Sequence, residues 1–124
     1  MPDVDGFAPG TPSWVDLASP DPDASAAFYG ALLGWEFQVS HPTRYGKVQA
    51  RNGGIPGGVG QAPRGERGWT TFYTWVPDLE RKMAEATALG SQVLMEIEEL
   101  PDRTRIAVVT DPEGRPLGLC SGPA

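Results

Sequence analysis

One cysteine, Cys120, and one histidine, His41, are all that these 124 residues hold of the two side chains most used to bind transition metals. A lone cysteine cannot close an internal disulfide, so nothing calls for an oxidising compartment. One histidine beside Pro42 cannot supply a His-rich zinc site or a two-histidine iron site, and no Ser-His-Asp set can be composed around it. Long apolar runs are missing too: none approaches the ~20 residues that cross a bilayer, and no basic start leads into an apolar stretch. A soluble, cytoplasmic protein is the expectation. Positive charge is sparse, with ten Lys and Arg against sixteen Asp and Glu and a net charge of −6. The basic residues are scattered, which argues against nucleic acid or a membrane as partner. Such a surface keeps a protein in solution and would steer a cationic ligand toward it.

What the chain does have is turns and a repeat. Sixteen glycines and thirteen prolines punctuate it. Residues 1–12, rich in Gly, Pro and Asp, predict a flexible arm, and one domain over 13–124 follows. Residues 13–18 alternate as a strand does, with Val15 and Leu17 on one face and Trp14, Asp16 and Ala18 on the other. Asp21 and Pro22 make a helix start, Ala24, Ala27, Phe28, Ala31 and Leu32 recur on one helical face, and Gly34 supplies a stop. Strand candidates follow at 35–39, 47–51 and 55–61. After the polar segment 62–68 the order repeats: a strand at 69–76 rich in aromatic and β-branched residues, a helix capped by Asp78 with Leu79, Met83, Ala86 and Leu89 inward and Gly90 as its stop, then strands at 92–98, 105–110 and 117–120. The capping aspartates are 57 residues apart. Two βαβββ modules, about 13–61 and 69–121, imply an α+β fold in which a curved, mixed eight-stranded sheet surrounds a groove, with helices outside covering Val15, Leu17, Phe72, Val76, Leu117 and Leu119.

The stretches WVDLASPDPDASAAFYGALLGW and RIAVVTDPEGRPLGL, set in this order of elements, resemble the vicinal oxygen chelate superfamily of glyoxalases, bleomycin-resistance proteins and dioxygenases, and within it the actinobacterial hydroxylase-like branch. The likeness runs from residue 13 to about 120. It implies the fold, while the superfamily puts many chemistries on that fold. Its catalytic members hold a divalent metal with His, Gln or Glu at four groove-facing positions, which correspond here to Trp14, Thr71, Gly118 and Gly57 or Gly58. An indole, a neutral hydroxyl and glycines are poor ligands. No metal and no other cofactor is therefore expected.

The inward parity instead assembles Trp14, Asp16, Trp69, Thr71, Tyr73, Trp75 and Gly118, an aromatic lining suited to a flat ligand. The same tryptophans could equally pack a core or an interface. Asp16 is a carboxylate in mid-strand, where an unpaired charge is costly; it is the one weak catalytic candidate, or else pairs with Lys47, Arg51 or Arg105. Cys120 reads as a buried structural thiol, and GGIPGGVG, lacking a following Lys-Ser/Thr, as a strand passing close to a neighbour or ligand. The expectation is a metal-free homodimer that binds a small aromatic or cationic organic molecule such as an antibiotic. The alternatives are a metal-independent enzyme of the same superfamily, with Asp16 as base and Tyr73 or Thr71 as donor, and an interaction module whose groove a partner fills.

Overall fold

The computed structural model describes residues 8–39, 44–48 and 55–122. The elements run β1 (Pro12–Ser19), α1 (Pro22–Leu33), β2 (Gln38–Val39), β3 (Gly46–Val48), β4 (Gly57–Gln61), β5 (Trp69–Trp75), α2 (Leu79–Ala88), β6 (Val93–Glu99), β7 (Arg105–Thr110) and β8 (Pro116–Ser121). The strands hydrogen-bond as one mixed sheet of eight in the order β2-β3-β4-β1-β5-β8-β7-β6, so the βαβββ order occurs twice as the repeat implied. His41 and Arg51 lie outside the described residues. Among those described, no helix is long and apolar enough to cross a membrane.

The chain divides into two compact units, one of residues 1–14 with 71–124, the other of residues 15–70. In the first, α2 is built as its sequence demands. The Asp78 carboxylate accepts the Arg81 N–H at 3.0 Å, satisfying one of the free donors of the first turn. Gly90, at φ 97°, takes the left-handed conformation that ends the helix at little steric cost. Leu79 and Met83 are buried and Ala86 partly so, against Val76, Ala107, Val109 and Leu119. Leu89 was expected on that inward face and is instead 87% exposed. The helix has already ended at Ala88, so the 3.6-residue period no longer directs its side chain. Phe72, expected beneath a helix, is also solvent-facing, with 43% exposure. β5 and β8 are parallel, with Tyr73 opposite Gly118; β7 and β8 are antiparallel. Gly10 donates to the Trp75 carbonyl at 2.9 Å and Trp75 N–H to that of Thr11 at 3.1 Å, which extends the pairing upstream of β1.

In the second unit β1 and β4 are parallel with Asp16 opposite Gly58, and β3 lies antiparallel on β4. Asp21 caps α1 through the Ala24 N–H at 3.1 Å, Pro22 fills the first turn, and Gly34 closes the helix at φ 74°. The face of α1 is the reverse of the one its apolar period suggests. Ser25, Ala26, Tyr29 and Gly30 are half-buried, whereas Ala24, Ala27, Phe28, Ala31 and Leu32 are exposed, Phe28 at 58% and Leu32 at 65%. Two local pairings hold this face inward: Ser25 and Ser19 share a hydroxyl hydrogen bond of 2.7 Å, and the Tyr29 ring stacks on Trp35 at 5.3 Å. β4, the strand that α1 touches, has glycine at 57, 58 and 60, and so offers Phe28 and Leu32 little side-chain surface to bury against.

Candidate functional site

The glycines of β4 are the starting point. A Cβ on Gly58 would lie 2.6 Å from Cζ of Tyr45, and one on Gly60 would lie 2.7 Å from its Cδ2. Both distances are shorter than real carbon contacts, so the bare backbone at these two same-face positions is what lets the Tyr45 ring lie flat on the strand. The ring is delivered by the residue before it. Arg44 sits at φ 59°, a left-handed conformation that is uncommon for a side chain of this kind. From this slot the Tyr45 hydroxyl donates to Oδ1 of Asp16 at 2.8 Å.

A second aromatic reaches the same carboxyl. Gly68 adopts φ 98° and lies directly on the Ala18 carbonyl, where any side chain would collide. That close approach brings β5's first residue to β1, and the Trp69 indole N–H points to Oδ2 of Asp16 at 3.4 Å, a long hydrogen bond. Asp16 is thus a buried carboxyl held between a phenol and an indole. Burial pushes its pKa above the ordinary aspartate value, and the hydrogen bonds from Tyr45 and Trp69 offset this only in part. Such a group can hold a proton, accept one, or accept a donor from a ligand while remaining in a mostly apolar setting.

Three cations were candidate partners for Asp16. Arg105 is turned to Glu80, at 2.5 Å, and Asp16 takes its hydrogen bonds from the two aromatic residues. Tyr45 was not singled out by the sequence, although alternate bare positions in GGVG are the signal of a bulky neighbour on that face.

The other expected site residues belong to the first unit. Trp14 is buried, with 1% exposure, and Tyr73 is buried as well. Gly118 serves Tyr73 as Gly58 serves Tyr45, since a Cβ there would lie 2.8 Å from Cε1 of Tyr73 and 2.8 Å from the Phe72 carbonyl. The Thr71 hydroxyl donates to the Pro116 carbonyl at 2.8 Å and is committed to holding β8. Trp75 is half-buried, and its indole N–H, shielded from solvent, has no partner among the described residues. Ser13 lies with its hydroxyl 3.7 Å from Sγ of Cys120. Burial pushes the Cys120 thiol upward, which suits a structural thiol and not a nucleophile.

The metal positions implied by the superfamily resemblance can be tested on these observations. Gly58 and Gly118 are each covered by a tyrosine ring, Thr71 is bonded to a backbone carbonyl, and Trp14 offers only an N–H donor. Nor do three or more His, Cys, Asp or Glu side chains come together among the described residues. These residues do not fit a chelated metal.

Comparison with known proteins places this geometry. A profile described as a glyoxalase-like domain matches residues 14–120. A Mycobacterium bovis protein, CFP32, which bears the provisional name of a glyoxylase, is 31% identical over 129 residues, covering 96% of this chain and 48% of its own. The anthracycline biosynthesis protein DnrV of Streptomyces peucetius is 32% identical over 125 residues, covering 87% of this chain and 46% of its own. The chain therefore spans about half the length of these relatives. Among solved structures, methylmalonyl-CoA epimerase from Mycobacterium tuberculosis superposes with a TM-score of 0.59 at 16% identity, over 96% of this chain and 92% of that one. At that identity the likeness speaks for the fold alone.

Proposed function

Because the chain belongs to the glyoxalase-like domain family of the vicinal oxygen chelate superfamily, we propose that it uses this scaffold to bind a flat aromatic natural product without a chelated metal, as a resistance-type sequestering protein does. The observation that carries the reading is the buried Asp16 carboxyl, which accepts from Tyr45 and Trp69 at 2.8 and 3.4 Å. A carboxylate accepts up to about four hydrogen bonds, so Asp16 keeps room for a donor from a ligand. Trp69 supplies an aromatic face, a good ring contact adding about 0.5–1.5 kcal/mol beyond burial. The relative that functions in anthracycline biosynthesis supports a polycyclic, hydroxylated ligand class.

The test is quenching of intrinsic tryptophan fluorescence by a panel of anthracyclines. Saturable quenching is expected, and Asp16→Asn should weaken it about tenfold, the effect of losing a charge-assisted hydrogen bond. Equal binding by that variant removes Asp16 from the site. One equivalent of zinc, iron or manganese in the purified protein would refute the metal-free part.

A second reading is favoured by the raised pKa of Asp16 beside a phenol: a metal-independent enzyme in which Asp16 moves a proton and Tyr45 donates to a substrate oxygen. Of the two donors expected from the sequence, Thr71 is engaged with Pro116 and Tyr73 is buried over Gly118. Mass spectrometry of ligand incubated with the wild type and with Asp16→Asn separates turnover from sequestration.

A further inference from the structure

The slot on β4 already contains a bound phenol, and that phenol is the chain's own. We infer that the hollow framed by Gly58, Gly60 and Asp16 is a binding site for a phenolic ring, that Tyr45 occupies it as an internal ligand, and that an external hydroxylated arene enters by displacing Tyr45. This deepens the binding reading above and rests on it for the site's use, but the slot itself is argued from geometry alone.

The recognition is legible atom by atom. Gly58 and Gly60 leave the backbone bare beneath the Tyr45 ring, where a Cβ at either would stand 2.6 to 2.7 Å from ring carbons. Glycine weakens a strand, so two beneath one ring in a strand of five residues is a cost with a local cause. At the end of the slot the buried Asp16 carboxyl receives the phenol hydroxyl at 2.8 Å. A flat ring carrying a hydroxyl or amine at its far edge satisfies both features, and a saturated or branched ligand fails the first.

Tyr45 is also placed to leave. It lies just outside β3, whose register with β4 begins at Gly46 opposite Val59. Arg44 before it is held at φ 59°, a conformation that relaxes when the ring is released. While seated, the tethered ring acts at a high effective concentration, so a single small phenol cannot compete with it and a larger polycyclic one can.

The test uses p-cresol, the tyrosine side chain as a free molecule, with toluene as the control that lacks the hydroxyl. Thermal unfolding is measured for the wild type, Tyr45→Ala and the double variant Tyr45→Ala, Asp16→Ala. Millimolar p-cresol should raise the Tm of Tyr45→Ala by about 4 °C and that of the other two hardly at all, with toluene giving the smaller gain in every case. No gain in Tyr45→Ala, or equal gains in all three, overturns the inference. Should Tyr45→Ala not fold, Tyr45→Phe keeps the ring and loses only its hydroxyl. Tryptophan fluorescence should then be quenched saturably by p-cresol in Tyr45→Phe at concentrations that leave the wild type unquenched, and equal responses in the two count against the slot. Anthracycline binding by the wild type without a p-cresol response in the variants removes the slot and leaves the binding reading. A p-cresol response with no wild-type ligand in the panel does the reverse.

Discussion

The two compact units share a register and use it differently. Asp16 and Tyr73 occupy equivalent places 57 residues apart, each opposite a glycine on a parallel strand, Gly58 and Gly118 respectively. In the unit of residues 71–124, the tyrosine grows from the position itself and covers its glycine. In the unit of residues 15–70 that position is a carboxyl, and the ring comes from Tyr45, outside the pair. The first arrangement is a closed packing contact. The second leaves an ionisable group with two aromatic donors. The helices differ in the same sense, α2 burying Leu79 and Met83 in a core of six buried residues while α1 buries none. The two copies of the module thus differ in what they bury, an apolar core in one and an ionisable carboxyl in the other.

The largest expected effect tests that division. Leu79→Ala removes a fully buried side chain from the α2 core and should cost about 2–5 kcal/mol in urea unfolding. Leu32→Ala, on the exposed face of α1, should cost under about 0.5 kcal/mol. Comparable losses at both sites would mean that α1 is buried against something in solution, and the contrast between the units would fail.

Much of this contrast was legible in residues alone, and the part that was not has a physical reason. Capping by Asp21 and Asp78, the stops at Gly34 and Gly90, and the burial of Asp16 in mid-strand follow from signals within a few residues, and the structure carries each. The parity of β1 and β5 puts Trp14, Asp16, Thr71 and Tyr73 on one face, and all four are buried. It could not say whether they line a hollow or fill a core, because alternation assigns a face and not what covers it. Tyr45 was missed since it lies off the strand pattern, 29 residues from Asp16, and its aim depends on the unusual backbone of Arg44. The face of α1 was misjudged because the helix is apolar nearly all round, so its period carries little direction, and the Tyr29–Trp35 stack decides.

An intermediate effect sharpens the comparison of the two glycines. Gly118→Ala forces a methyl against both Tyr73 and the Phe72 carbonyl inside a packed unit, and should cost about 1–3 kcal/mol. Gly60→Ala, on the same face as Gly58, has the Tyr45 ring as its nearest neighbour, at 2.7 Å from Cδ2, and that ring can swing outward, so its cost should be smaller while tryptophan fluorescence changes as the Asp16 contact is lost. A larger loss at Gly60 than at Gly118 would mean that Tyr45 is as fixed as Tyr73, which also weighs against displacement of the ring.

The smallest effect is a slope and not an offset, and it belongs to one unit only. Burial raises the folded-state pKa of Asp16 above its unfolded value of 3.8. The folded state therefore holds its proton more tightly. The stability that this proton contributes is full below the unfolded pKa and is lost as pH rises through the folded one. Asp16→Asn cannot titrate, so the stability of the wild type relative to the variant should fall as pH rises across that window and level off above it. Urea unfolding of both proteins at a series of pH values reads the difference directly. A flat difference would show that Tyr45 and Trp69 fully compensate the buried charge. A falling one would show a carboxyl kept at a cost to folding, which is the condition of a group retained for what it binds.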